Sequence, residues 1–222
     1  MIVSRRFDAV IFDMDGLLLD TERIFRLAVV DSVEAMGYRL PEAVQQSMIG
    51  LPDTDAVIQD YFGPEFSLSE FRRRLHEQVD THLEGGIALR AGVPEILDFL
   101  DRHAIPKAVA TSTRRPTAEK HLLRCGIRHR FKTVATRDDV AHGKPHPDVY
   151  LLAAADLGVA PSKCVALEDS HNGVRAAFAA GIAVIMVPDL LPPTAEMSAL
   201  CLAVADDLHQ VRGLFGGEVG QG

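Results

Sequence analysis

Ala9-Val10-Ile11-Phe12-Asp13-Met14-Asp15-Gly16 is the stretch that decides the fold. Its first four residues form a short apolar run of the kind that makes a strand buried on both faces. The run is stopped by Asp13, Asp15 and Gly16, residues that favour turns and helix caps. Taken alone, an Asp-x-Asp-Gly tetrapeptide is an ordinary turn. Its place directly after a buried strand makes it a candidate site, because ligands of open α/β sheets bind beyond the carboxyl ends of the strands.

Working outward, four more runs rich in Val, Ile and Ala read as strands: Lys107 to Ala110, Lys132 to Ala135, Cys164 to Leu167 and Ala183 to Val187. Helical patterns lie between most of them. Val93, Leu97 and Leu100 form a stripe after Gly92, and Pro116 suits a first helical position, with Gly126 closing that helix after Cys125. Pro147 opens a helix that closes near Gly158, and another runs from about Asn172 to Ala180, stopped by Gly181. Strands alternating with helices predict parallel βαβ units and an α/β fold.

Residues 18–85 have a different texture, with helical periodicity and no convincing strand. Phe25, Val29, Val33 and Met36 recur at helical spacing and Gly37 ends the run. Ser67 and Glu70 form a capping-box pattern ahead of Phe71, Leu75 and Val79. The expectation is a helical subdomain over residues 18–85, inserted into a core made of residues 1–17 and 86–222. The glycine-rich stretch from Gly216 to Gly222 is expected to fray.

With 222 residues the chain can bury one substantial core and carry a modest second domain. A hydrophobic share of 47% with 24% charged residues excludes disorder of the whole chain. The net charge of −8 argues against nucleic acid and anionic membrane as partners, since both associations rest on clustered Lys and Arg. Cys125, Cys164 and Cys201 are odd in number and lack metal-ligand spacing, so a reducing cytoplasm is expected rather than a disulfide framework or zinc site. The apolar stretch after Arg5 and Arg6 is broken at Asp8 and Asp13, too short for a signal peptide or a spanning helix.

Three further polar clusters follow predicted strands or join βα units. Thr111-Ser112-Thr113 follows Ala110; it reads either as a turn capping the next helix or as a set of hydroxyl and backbone donors for phosphate oxygens. Arg114 and Arg115 lie just beyond, as surface charge or as helpers. In Gly143-Lys144-Pro145-His146-Pro147-Asp148 the prolines stiffen the backbone after Lys144, whose compact charge suits a phosphate, although a solvated surface turn has the same composition. His142 and His146 lack the further ligands a metal site needs. Glu168-Asp169-Ser170 follows Leu167; it either caps a helix or offers paired carboxylates to a hard cation.

In this order, Phe12-Asp13-Met14-Asp15-Gly16 with Asp20-Thr21-Glu22, Ala110-Thr111-Ser112-Thr113, the Gly143 to Asp148 segment, and Glu168-Asp169-Ser170 with Gly173 resemble the haloacid dehalogenase superfamily. The branch resembled holds β-phosphoglucomutase and many sugar-phosphate and nucleotide phosphatases. The resemblance implies a Rossmann-like parallel sheet core with an inserted helical cap, and a Mg²⁺-dependent phosphatase of a small phosphorylated metabolite. Asp13 would be the nucleophile that forms an aspartyl phosphate, and Asp15 the acid and then the base. Thr111, Ser112 and Lys144 would hold the phosphate. Mg²⁺ would be bound by Asp13, the backbone carbonyl of Asp15 and Asp169, with Glu168 as a ligand or as an acceptor for metal-bound water. A monomer or weak homodimer in the cytoplasm is expected.

Within that family Asp15 argues against a dehalogenase, which delivers no proton to an alkoxide. The mutases carry a histidine and a cap arginine where, by spacing, Phe25 and Asp53 stand here. A phosphonatase needs a cap lysine, and residues 18–85 contain none. A noncatalytic binding protein of the same fold would be favoured by loss of Asp13, Asp15, Lys144 or Asp169, and all four are present. Substrate choice is expected to reside in residues 18–85, whose polar side chains Glu22, Asp53, Arg72 and His76 the sequence does not rank.

Overall fold

Ala9–Phe12 (β1) is buried at every residue, and in the computed structural model it sits inside a parallel sheet. The structure describes residues 7–48 and 54–216, so Arg5, Arg6, Asp53 and the tail beyond Gly216 lie outside the described residues. The other strands are Lys107–Ala110 (β2), Thr133–Ala135 (β3), Cys164–Glu168 (β4), Ala183–Met186 (β5) and Ala203–Val204 (β6). Their order across the sheet is β3-β2-β1-β4-β5-β6. The chain builds outward from β1 in one direction and then, from β4, in the other. The crevice between β1 and β4 is therefore the switch point at which such folds bind ligands.

Successive strand residues point to opposite faces of the sheet, and most of them are apolar because both faces are covered. Ala9, Ile11, Ala108, Ala110, Ala166, Val184 and Met186 share one core cluster with residues of two helices, Asp148–Leu157 (α7) and His171–Ala179 (α8). The intervening residues Val10, Phe12, Val109, Val165, Leu167 and Ile185 are buried as well, so both faces of the sheet are covered. Alanines on the first face let α7 and α8 lie close to the strands. Burial of each larger side chain contributes roughly 1.5–3 kcal/mol. Two more helices of this unit, Val93–Arg102 (α5) and Leu208–Gly216 (α10), pack against each other, while Arg115–Arg124 (α6) follows β2 and Ala195–Leu200 (α9) packs on α8.

By its contacts the chain divides into two compact units, Met1–Leu19 with Ala88–Gly222, and Asp20–Ile87. The second is helical: Thr21–Ala35 (α1), Glu42–Ser47 (α2), Asp55–Phe62 (α3) and Leu68–Glu84 (α4). Val29, Val33, Leu40, Met48, Ile58, Phe66 and Phe71 form its core.

Two local expectations are corrected here. Phe25 does not belong to the buried stripe of α1; it is 37% exposed, and the inward face is Ala28, Val29, Ser32 and Val33. Ser67 caps α4 by accepting from the Glu70 N–H at 3.4 Å, but the reciprocal half of the box is absent, because the Glu70 carboxylate is taken by Arg73 and Arg74. Among the described residues no helix is long and apolar enough to cross a membrane.

Candidate active site

Phe12 is in register with Val109 of β2 and with Leu167 of β4, so the chains leaving these three strands do so at one level. Asp13, Thr111, Glu168 and Asp169 are all buried there. The Asp13 N–H donates to Leu167 O at 3.0 Å, which extends the ladder one residue past the strand and fixes where its side chain starts. Gly16 then turns the chain with φ +86°, a conformation side chains resist. A Cβ there would lie 2.3 Å from an Asp169 oxygen, so the glycine also leaves the room in which that carboxylate stands.

Lys144 arrives on the loop between β3 and α7, and its ammonium donates to Asp13 Oδ1 and to Glu168 Oε1, both at 2.5 Å. The Tyr150 hydroxyl on α7 donates to the same Glu168 oxygen at 2.8 Å, and the Lys144 ammonium lies 5.0 Å from the centre of that ring. Glu168 Oε2 accepts from the backbone N–H and the hydroxyl of Ser170, each at 3.0 Å. Both oxygens of Glu168 are thus filled by protein donors. Gly173 makes this possible, since a Cβ on it would fall 1.7 Å from Glu168 Oε1.

Asp15 is turned to the other side. Its Oδ2 accepts from the Thr113 hydroxyl at 2.6 Å and from the Thr111 hydroxyl at 3.3 Å, while the Thr111 oxygen accepts the Thr113 N–H at 3.0 Å. The sequence named the hydroxyl cluster as a group, and the structure distinguishes its members: Thr111 and Thr113 face Asp15, whereas Ser112 between them is exposed. Arg115 is a partly exposed surface charge, bonded to Glu119, Asp139 and the carbonyl of Val134.

Electrostatics set the character of the cluster. Burial pushes the Asp13 carboxyl well above the usual range, with Glu168 and Asp15 adding to it and Lys144 only partly offsetting. Burial also opposes the charge on Lys144, but Asp13 and Glu168 outweigh it and hold the ammonium firmly protonated. The Tyr150 hydroxyl, buried and facing Glu168, is pushed up and stays a donor. Oxygens of Asp13, Glu168 and Asp169 lie within 4.8 Å of one another. Three carboxylates so placed make an all-oxygen donor set of the kind that fits a hard divalent cation.

The chain belongs to the haloacid dehalogenase-like hydrolase family, whose sequence pattern matches residues 10–187. Among curated relatives it is 36% identical over 177 residues to the phosphorylated carbohydrates phosphatase of Thermotoga maritima, covering 79% of this chain and 82% of that one. Hexitol phosphatase B of Escherichia coli is 34% identical over 199 residues, covering 85% and 86%. Among solved structures, CbbY from Rhodobacter sphaeroides in complex with phosphate superposes with a TM-score of 0.75 at 29% identity, covering 92% of this chain and 96% of that one. Relatives of this chain are thus phosphatases of phosphorylated carbohydrates, and the family is one of hydrolases.

Proposed function

We propose that the protein is a Mg²⁺-dependent phosphatase of a small phosphorylated metabolite, a sugar phosphate or a close analogue, working through a phosphorylated Asp13. The observation that carries this reading is the state of Asp13 itself. One carboxylate oxygen is fixed by Lys144 at 2.5 Å, and the other takes no hydrogen bond among the described residues, at the mouth of the β1–β4 crevice. A buried carboxylate held by one oxygen presents the second as a nucleophile of defined direction.

In the first half of the reaction an Asp13 oxygen bonds to phosphorus as the ester P–O bond breaks, and Asp15 gives its proton to the leaving alkoxide. In the second half Asp15, now a carboxylate, takes a proton from the water that attacks phosphorus, and the bond to Asp13 breaks. The Thr113 hydroxyl on Asp15 Oδ2, at 2.6 Å, keeps that side chain aimed, and the longer Thr111 contact, at 3.3 Å, is the one that would be given up to phosphate. Lys144, the Thr111 hydroxyl and backbone N–H groups around Ser112 would bind the phosphate oxygens. Asp13 and Asp169 would hold Mg²⁺ together with the Asp15 carbonyl, while Glu168, filled by its own donors, fixes Lys144. When bound, the cation supplies charge neutralisation between the anionic nucleophile and the anionic ester.

Phe25 favours hydrolysis over phosphoryl transfer between sugar hydroxyls, since it offers no proton-transfer group where the mutases carry histidine; Asp53 lies outside the described residues. In residues 18–85, which would carry substrate selection, Arg72 is paired with Asp55 at 2.5 Å, and His76 is a solvated side chain near Asp80.

The test is phosphate release from a panel of hexose, hexitol, sugar-acid and nucleoside monophosphates, with Mg²⁺ and with EDTA. Hydrolysis is expected to require Mg²⁺ and to fall by at least about 10⁴-fold in Asp13→Asn. No release from any ester, or activity that survives in Asp13→Asn, would sink the reading.

A further inference from the structure

Lys144 and Thr111 stand on different loops, and the grip they would form on a phosphate depends on how those loops are held together. The Lys144 ammonium is fixed by Asp13 and Glu168, but its backbone belongs to the exposed turn that follows β3. Arg137 lies in that turn and reaches both sides. Its backbone N–H donates to Thr113 O at 3.2 Å, and Thr113 is the residue whose hydroxyl bonds Asp15. Its guanidinium turns the other way, donating to Val140 O at 2.9 Å and to Ala141 O at 3.5 Å. The side chain lies flat on Gly143, so close that a Cβ there would come within 3.0 Å of both Cδ and Nε.

We infer that Arg137 is a positioning residue that ties the Thr111–Thr113 loop to the Lys144 loop and so sets the span of the phosphate grip. The inference rests on the phosphatase reading of the same site. The bond to Thr113 is made by the backbone and survives substitution, whereas two features make the side-chain half of the tie, toward Lys144, specific to arginine. The planar fork can satisfy two successive turn carbonyls at once, which a lysine ammonium on a flexible stem does not reproduce. The stacked stem also needs the bare Cα of Gly143, immediately before Lys144. Other devices brace the start of the same turn: Asp139 accepts from Thr136 and from the Arg115 guanidinium, Asp138 accepts the Arg115 N–H, and the Thr111 N–H donates to Ala135 O. Arg137 differs from these in that its side chain runs on toward Gly143, the residue before Lys144. Since it is exposed, its loss should scarcely change the stability of the fold.

Three measurements on the full chain test this: titration calorimetry with inorganic phosphate in Mg²⁺, steady-state kinetics on a phosphomonoester, and thermal unfolding. Arg137→Ala is expected to weaken phosphate binding by about 10-fold and to lower kcat/KM by roughly 10- to 100-fold, at an unfolding midpoint within about 2 °C of the parent. Arg137→Lys should recover only part of that loss. Gly143 has no positive φ, so alanine suits its backbone. Gly143→Ala should therefore cost about 3-fold in phosphate affinity through its push on Arg137, and cost nothing in the Arg137→Ala background. Unchanged phosphate binding in Arg137→Ala, or equal losses from Gly143→Ala in both backgrounds, overturns the inference. Lys144→Met is the companion control: if it abolishes phosphate binding while Arg137→Ala does not weaken it, the phosphatase reading stands and this inference alone falls. A parent protein that binds no phosphate ends both.

Discussion

The two units treat polar side chains in opposite ways. At the carboxyl edge of the sheet Asp13, Thr111, Glu168 and Asp169 are buried, and the side chain of Lys144 is only 5% exposed. In the unit Asp20–Ile87 the single buried polar residue among those described is Ser32, which returns its hydroxyl to Ala28 O one helical turn back. Its charged pairs, Arg72 with Asp55 and Arg73 with Glu70 and Glu77, lie at its surface around an aliphatic and aromatic core. Removing a charge from water costs several kcal/mol per ion unless partners offset it. A chain that accepts this cost in one unit and avoids it in the other marks where its chemistry is concentrated.

The sharpest way to break that contrast is to remove the cation of the buried cluster. Lys144→Met leaves Asp13 and Glu168 without their shared partner and is expected to destabilise the protein by about 3–5 kcal/mol, measured by chemical denaturation. A loss below ~1 kcal/mol would mean that the carboxylates are better hydrated than their burial implies. A smaller change is Tyr150→Phe, which takes one donor from Glu168 Oε1 while leaving Lys144 on it. About 1–2 kcal/mol of stability should go, with a measurable fall in kcat as Glu168 relaxes its hold on Lys144. Smallest is Arg72→Ala in the helical unit, where the pair is exposed on the arginine side. Denaturation should register no more than ~1 kcal/mol, and hydrolysis of a small aryl phosphate should be unaltered. Equal losses from Lys144→Met and Arg72→Ala would erase the distinction between the units.

Much of the sheet was legible because burial on both faces removes the need for alternation. Ala9 to Phe12 and Lys107 to Ala110 announced themselves as apolar runs, and the structure places strands over the same residues. β6 escaped because two residues, paired on one side with β5, carry no pattern. At the candidate site the sequence supplied the residues that follow strands, since chain direction alone puts Asp13, Thr111 and Glu168 at one edge of a parallel sheet. It could not supply Tyr150. That residue holds an ordinary core position on α7, and only tertiary packing aims its hydroxyl at Glu168. Nor could it separate Ser112 from its neighbours, because which hydroxyl of three turns inward depends on the backbone path after β2. Arg137 was invisible for a related reason: its partners are carbonyls, which every residue possesses. Phe25 fell on the wrong face because a four-residue apolar spacing fits more than one face of a helix.

Gly173 lies where a methyl group would coincide with the carboxylate of Glu168. The absent side chain is therefore a receptor for a present one, and the two positions form a single unit of variation five residues apart in the chain. No side chain can be added at 173 while glutamate keeps this pose at 168. An alanine there becomes admissible only with a shorter acid at 168, whose carboxylate would withdraw from Lys144. A side chain can enter at 173 only after 168 has changed, with the lysine's hold on Asp13 as the quantity at stake.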